Sequence, residues 1–291
     1  MHSSPASTGL GLLSAASWGG SDFASGLGAR RAPALLVTFS GQIVSLVLLA
    51  AICFALHAAV PGRFTLICAF AAGFEGALAL ALFYRALAMG AMGLTAALTG
   101  LLTALVPVLF SAVHEGLPTP LSALGLAAGC AAIWLITHRP QTGAEGTPAR
   151  ALLFGAIAGT GFGAQLILFK LAAPGGVLPV MTVARIAGVA ALLLTLPLAR
   201  VPFSNIGFHG TGSAGVGFWL PGIVAGLLDT AGNIFYLGAA GTGRLDVAAV
   251  ICSLYPAGTI LLAGLVLHEH PTRRQWAGMA LALGAVALLS I

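Results

Sequence analysis

Residues 34–56 read ALLVTFSGQIVSLVLLAAICFAL, with no Lys, Arg, Asp or Glu anywhere in the run. A helix that crosses the hydrocarbon core of a bilayer needs about 20 such residues. The same reading extends outward in both directions. Apolar blocks interrupted by Gly, Pro or charge cover 9–28, 34–56, 64–88, 93–112, 119–137, 151–172, 178–199, 216–240, 246–267 and 274–291. Ten spans of about 20 residues each fill most of a 291-residue chain and leave no room for a separate soluble domain. The blocks are continuously apolar, whereas barrel strands alternate over about 10 residues. The pattern predicts an all-α integral membrane protein.

Composition agrees. The chain is 59% hydrophobic and only 7% charged, against about 25% charged in a soluble domain. That excludes an ordinary cytoplasmic enzyme and a disordered protein. A net charge of +5 does not make a nucleic-acid binder, because the basic residues are scattered and form no stripe. Met1–Gly9 contains no Lys or Arg, so the basic start of a cleavable signal is not expected. Cys53, Cys68, Cys130 and Cys252 fall inside spans at unrelated spacings and read as small buried packers.

The chain reads as written twice. His114-Glu115-Gly116 ends the fourth span, and His268-Glu269-His270 ends the ninth. At the same offset, Glu75 in the third span falls on Asp229 in the eighth. Earlier in each half the offset shortens by ten residues. There Gly11 falls on Gly155, and Trp18-Gly19 falls on Phe162-Gly163. One insertion within Pro202–Gly217 accounts for the difference. The expected organisation is a first five-helix repeat over 1–138, a polar linker over 139–149 and a second repeat over 150–291. An odd number of spans per repeat inverts the second against the first. Inverted repeats are the architecture of secondary transporters, with the substrate site near the midplane between them.

Ionisable groups inside a membrane are costly and commonly face a cavity or a partner. Glu75, Asp229 and Arg185 lie well inside their spans. Glu75 and Asp229 read either as a midplane pair available to protons or a substrate ammonium, or as neutral or paired groups that fix packing. Arg185 reads as a salt-bridge partner for one of those acids or as a carboxylate clamp. Lys170 and Arg85, nearer the ends, can snorkel to the interface. Asp229, Asn233 and Tyr236 share one helical face, as do Ser14, Trp18, Ser21 and Ser25. Thr95, Thr99 and Thr103 form a hydroxyl stripe, and Gln165 adds an amide. Such stripes line a wet cavity or seal helix contacts. The expected substrate-binding set is Trp18, Ser21, Glu75, Tyr84, Thr99, Gln165, Arg185, Asp229, Asn233 and Tyr236, drawn from helices 1, 3, 4, 6, 8 and 9. Gly155, Gly159 and Gly163, Gly222 with Gly226, and Gly125 with Gly129 recur every four residues, a spacing that lets helices approach closely. Pro107 and Pro256 fall inside helices 4 and 9, where proline kinks a helix, and are candidate hinges.

No His-Glu-x-x-His zinc motif and no phosphate-binding G-x-x-x-x-G-K-[ST] loop occurs. No metal, cofactor or catalytic group is therefore expected, and a gradient-driven or facilitative carrier is.

Ser17-Trp18-Gly19 near the start, Arg185 near the start of helix 7, and helices that end in Glu115 and Glu269 before Gly-punctuated last helices (Gly125 and Gly129; Gly278 and Gly284) carry a likeness. The chain resembles the drug/metabolite transporter superfamily, specifically its ten-helix EamA-type exporters. Among them it looks most like the amino-acid exporters of bacterial inner membranes, including the YddG-type aromatic amino acid exporters. The resemblance implies a multi-pass inner-membrane protein that exports amino acids, aromatic or otherwise neutral, or related metabolites by alternating access. A drug or nucleotide-type carrier of the same superfamily is the alternative, and a membrane-embedded enzyme on lipid-linked substrates a weaker one. A small-molecule substrate, the lipid bilayer and a coupling proton are the implied partners, with a monomer sufficient. The resemblance also puts both termini in the cytoplasm. The charge count disagrees: loops on the side of the termini carry Arg63, Lys170 and Arg244, and the opposite loops carry Arg30, Arg31, Arg139, Arg150, Arg200, Arg273 and Arg274. The family's first-repeat Arg is replaced here by Gly41, with Gln42 beside it.

Overall fold

A computed structural model describes residues 5–29, 33–88, 92–137, 149–198, 219–268 and 271–289. Every regular element among them is helical. In chain order they are α1 (Pro5–Ala29), α2 (Ala34–Ala55), α3 (Arg63–Ala88), α4 (Met92–His114), α5 (Pro120–Thr137) and α6 (Ala149–Ala172). A single 3-10 turn at Ala173–Gly175 leads to α7 (Val177–Leu198), followed by α8 (Trp219–Thr242), α9 (Leu245–Cys252), α10 (Tyr255–Leu267) and α11 (Arg273–Leu289). The linker apart from Ala149, which opens α6, the Pro202–Gly217 insertion, Glu269 and His270 lie outside the described residues.

The ten predicted spans correspond to these helices with one correction. The ninth is not a kinked continuous helix. It stops at Cys252 and restarts at Tyr255, with Pro256 in the first turn of the new piece. Proline has no N–H and its ring crowds the carbonyl four residues back. The backbone responds by tightening: Leu254 N–H bonds to the Ile251 carbonyl and Ala257 N–H to the Leu254 carbonyl, each three residues back. Pro107, by contrast, sits inside an uninterrupted α4.

Seven segments are long and apolar enough to cross a membrane, the α9–α10 pair counting as one, and Leu98–His114 is a shorter eighth. α1 and α11 fall below that level for visible reasons. α1 carries Ser7, Ser14 and Ser21, all buried against neighbours. α11 opens on Arg273-Arg274-Gln275. Large apolar side chains such as Val47, Phe54, Phe64, Leu109, Val113 and Leu283 point outward. On a chain this apolar, that outer surface is the lipid contact.

Inside the bundle, small residues and hydroxyls hold the helices together. α1 and α8 run antiparallel, and three serines a heptad apart meet three carbonyls a heptad apart. Ser7 Oγ donates to the Ala239 carbonyl at 2.9 Å, Ser14 to Gly232 at 2.8 Å and Ser21 to Ala225 at 2.9 Å. A seven-residue register on both partners is what a shallow left-handed crossing produces. Ser45 bonds the Gly226 carbonyl from α2 at 2.8 Å, and Thr99 bonds the Gly155 carbonyl across α4 and α6 at 2.9 Å. Gly41 on α2 backs onto Gly222 and Gly226 on α8 so closely that a side-chain carbon at Gly41 would meet the Gly222 carbonyl at 2.8 Å. The same holds at Gly159, where an added carbon would stand 2.5 Å from the Thr99 carbonyl.

The packing partners follow a pattern. α1 packs on α8 and α3 on α6; α2 packs on α8 and α3 on α7; α4 packs on α6 and α1 on α9 and α10. α2 pairs with α7, α4 with α9 and α5 with α11.

Candidate functional site

These helices enclose a cavity of about 350 Å³ near the middle of the bundle. α1 supplies Trp18, Ser21, Asp22 and Ser25, and α8 supplies Asp229 and Asn233. α2 contributes Gln42, α7 Arg185, α6 Gln165 and Phe162, α3 Phe83, and the broken ninth span Tyr255. The lining is not the set of helices expected from sequence. Helices 2 and 7 are major walls, while among the described residues α4 reaches the cavity only through Thr103 and the ninth span only through Tyr255.

Of the expected substrate-binding residues, Trp18, Ser21, Gln165, Arg185, Asp229 and Asn233 face this cavity. Tyr236 does not. It is fully buried one turn deeper, donating from its hydroxyl to the Leu166 carbonyl at 2.7 Å, and it stacks behind Trp18 with ring centres 6.0 Å apart. Thr99 is spent on the α4–α6 contact. Glu75 points from α3 toward α6 instead. Its seat exists because residue 161 is glycine: an added carbon there would stand 2.5 Å from the Glu75 carboxyl. Both Glu75 oxygens are buried without a hydrogen-bond partner among the described residues. The side chain of Tyr84 lies outside the described residues. Sequence reasoning left Asp22, Gln42, Phe83, Phe162 and Tyr255 out of the set; Asp22 and Gln42 carried a polarity signal, Phe162 carried its match to Trp18, and Phe83 and Tyr255 carried none.

The centre of the site is an ion pair. Arg185 Nη2 stands 2.6 Å from Asp229 Oδ2, and Arg185 Nη1 donates to Gln42 Oε1 at 2.9 Å. The Nη2 contact is ionic and out of line for a good hydrogen bond. The other Asp229 oxygen accepts from Asn233 Nδ2 at 3.2 Å. Gln42 thus completes from the first half what Arg185 and Asp229 begin in the second. Gln165 donates to the Ala72 carbonyl at 2.9 Å and fixes α6 on α3 beside the cavity.

Access is one-sided. Toward one end the lining residues Asp22 and Gly26 are exposed; toward the other Leu166, Phe169 and Met181 are buried. Below that floor a polar cluster ties four helix ends together. Glu115, just past α4, accepts from Ser111 at 2.8 Å and from the Leu245 N–H at 3.0 Å, and lies 3.5 Å from Lys170 Nζ. Lys170 does not snorkel outward. It donates to the Ala240 and Gly243 carbonyls at the end of α8. Arg244 donates to the Gly116 carbonyl and pairs with Asp246, both at 2.8 Å. Burial pushes the Glu115 carboxyl up, but the Leu245 N–H, the Ser111 hydroxyl and the Lys170 ammonium outweigh it and hold the group below its ordinary range. Arg85, on the opposite end of α3, is exposed, with its guanidinium 6.0 Å from the Phe154 ring centre.

Comparison with known proteins bears on the half that contains Arg185 and Asp229. Residues 149–291 match the sequence model of the EamA-like transporter family. That half of the chain is similar to an EamA-like transporter domain. No curated protein matches the chain significantly. A solved crystal structure is similar over 98% of this chain and 96% of its own, with a TM-score of 0.76 and 20% sequence identity. That likeness is one of overall fold alone and carries nothing about substrate. The apolar helices make this a multi-pass membrane protein whose second half is similar to a transporter family.

Proposed function

We propose that the chain is a secondary transporter that moves small amphipathic metabolites by alternating access, through the cavity around Arg185 and Asp229. The observation that carries this reading is the one-sided cavity, walled by both halves of the chain and shut at one end by the Glu115–Lys170–Arg244 cluster. A catalytic site has no need of a cavity that is open on one side and latched on the other; a carrier does.

The packing pattern supports an inverted repeat with boundaries at 1–138 and 150–291. The most extensive contacts between the halves come in exchanged pairs, as a two-fold axis in the membrane plane requires: α1–α8 with α3–α6, α2–α8 with α3–α7, and α4–α6 with α1 on α9 and α10. The broken ninth span beside the cavity fits the same architecture, since transporter sites are commonly built at discontinuous helices. Amino acids, aromatic or neutral, are the proposed cargo class, and export across a bacterial inner membrane the proposed direction, with a proton as coupling partner and a monomer as the working unit. The residues in contact with cargo are Trp18, Ser21, Gln165, Arg185, Asp229 and Asn233. Thr99, Tyr236 and Glu75 act from behind the wall.

Counterflow in proteoliposomes tests this. Preloaded unlabelled substrate should drive transient overshoot of labelled substrate. A steady flux without overshoot identifies a channel and overturns the carrier reading.

A further inference from the structure

The cavity's charges do not balance, and the imbalance sits on one residue. Asp22 and Asp229 line the cavity with Arg185, the only cation among the described lining residues, so its carboxyl groups outnumber its cations by one. Asp229 is already engaged through both oxygens, by Arg185 and by Asn233. Arg185 is 5% exposed and held between Asp229 and Gln42. Asp22 has no such partner among the described residues, its side chain is accessible, and it lies within electrostatic range of Asp229. The free recognition group in the cavity is therefore a carboxylate, and the guanidinium that would clamp a substrate carboxylate is taken.

The surroundings suit a cation with a flat apolar body. Trp18 precedes Asp22 by one helical turn on the same face, so a group bound to Asp22 places its body along the indole. Trp18 is held rigidly, stacked on Tyr236 and edge-on to Tyr255 at 6.3 Å. Across the cavity Phe83 and Phe162 form an edge-to-face pair at 6.2 Å. An indole face attracts an ammonium group directly, and most strongly where water is scarce.

We propose that this cavity selects organic ammonium ions, with Asp22 as the acceptor of the ammonium and Trp18 as the platform for its apolar body, so that amines are preferred to amino acids of the same skeleton. The proposal rests on the reading of the cavity as a transport site for small amphipathic metabolites, and it shifts the preferred cargo from amino acids to the corresponding amines. A zwitterion brings a further carboxylate into a cavity whose carboxyl groups already outnumber its cations, where no unpaired cation among the described lining residues receives it.

Three probes of one skeleton separate the possibilities: 2-phenylethylammonium, phenylalanine and 3-phenylpropionate. Binding to the purified full-length protein is measured by calorimetry, and exchange of each probe is measured separately in proteoliposomes. The amine should bind at least about 10-fold more tightly than phenylalanine, a difference of about 1.4 kcal/mol, and the anion should not compete. Asp22→Asn should abolish that preference while the melting temperature stays unchanged, because Asp22 makes no bond that holds the fold. Tighter binding of phenylalanine or phenylpropionate, an unaltered preference in Asp22→Asn, or no amine binding at millimolar concentration each overturns the proposal. If the amine binds but is never exchanged, the transport reading fails and the selectivity stands. If phenylalanine is exchanged and the amine is not bound, the selectivity fails and the transport reading stands.

Discussion

Arg185 Nη2 and Asp229 Oδ2 stand 2.6 Å apart and join α7 to α8 at the cavity wall, but the two partners are buried to different depths. The Arg185 side chain is 7% exposed and that of Asp229 35%. Removing one partner of a buried pair strands the other charge, a loss of roughly 3–5 kcal/mol when the stranded charge is fully buried. Asp229→Asn strands the deep guanidinium and should approach the lower end of that range. Arg185→Met strands a carboxylate that water in the cavity can reach and should cost about 1 kcal/mol. The double variant should lose less than the two combined. Thermal unfolding in detergent checks all three, and an Arg185→Met protein less stable than Asp229→Asn contradicts the assignment.

Helix contact through glycine makes a sharper forecast. A side-chain carbon at Gly226 would fall on the backbone of Gly41, where nothing can give way. Gly226→Ala should therefore force α2 off α8 and greatly lower the yield of folded protein. Gly9, on the first helix, has nothing within 4 Å of an added carbon, and Gly9→Ala should be neutral or slightly stabilising, since alanine is the better helix former. Size-exclusion profiles of the two variants, side by side, give the answer.

These two cases mark what the sequence made legible and what it did not. The spacing of Gly222 and Gly226 announced a close helix contact, because small residues four apart leave one continuous groove. The intramembrane positions of Arg185 and Asp229 announced a site, because charge is costly there. The face shared by Asp229 and Asn233 was readable from helical periodicity. Periodicity cannot tell how deep a face runs, so Tyr236, one turn further along, passes from cavity to core. Glu75 coincides with Asp229 under the proposed repeat, yet the two differ in their neighbours: Asp229 meets Arg185, whereas the position that the repeat would match to Arg185 is Gly41, and no cation among the described residues draws Glu75 inward. Lys170, Glu115 and Arg244 each looked like a span-end charge. Their convergence depends on three-dimensional neighbours that linear order does not contain.

That convergence gives a pH dependence with a definite sign. Glu115 has a folded-state pKa below its unfolded value. Its contribution to stability is therefore present above the unfolded value, about 4.3, and is lost as pH falls through the lower folded value. Glu115→Gln should melt below the wild type at pH 7, and the gap should close as pH drops beneath about 4. A gap that is constant over this range would mean the lost interaction is steric and not ionic. The same variant should loosen the closed end, so a cysteine placed at Met181 should gain reactivity toward a soluble thiol reagent.

The break before Pro256 predicts a kinetic phenotype. Pro256→Ala restores a backbone N–H and removes the clash with the preceding turn, so α9 and α10 can join into one stiffer helix. If the break is the hinge, exchange should slow by roughly 10-fold, about 1.4 kcal/mol in barrier, with substrate affinity little changed. Pro107→Ala, in a helix that is already continuous, should alter exchange less. Equal rates in Pro256→Ala and wild type remove the hinge.

Glu75 offers the most stringent test of proton coupling. Its two carboxyl oxygens are buried between α3 and α6 without a hydrogen-bond partner among the described residues, an arrangement that costs about 1–3 kcal/mol. A group kept at that cost, out of reach of the cargo cavity yet on a helix that walls it, suits a proton carrier better than a packing residue. Glu75→Met has a similar shape and no unsatisfied atoms, so it should raise stability by about 1–2 kcal/mol. At about 2–4 °C per kcal/mol for a protein of this size class, the shift in melting temperature is readily measured. The same variant should exchange substrate at symmetric pH and lose any acceleration by an imposed pH gradient. A wild type indifferent to the gradient, or a Glu75→Met protein that still responds to it, sinks the coupling role. A Glu75→Met protein that melts lower than the wild type would show instead that the carboxyl has a partner holding α3 to α6.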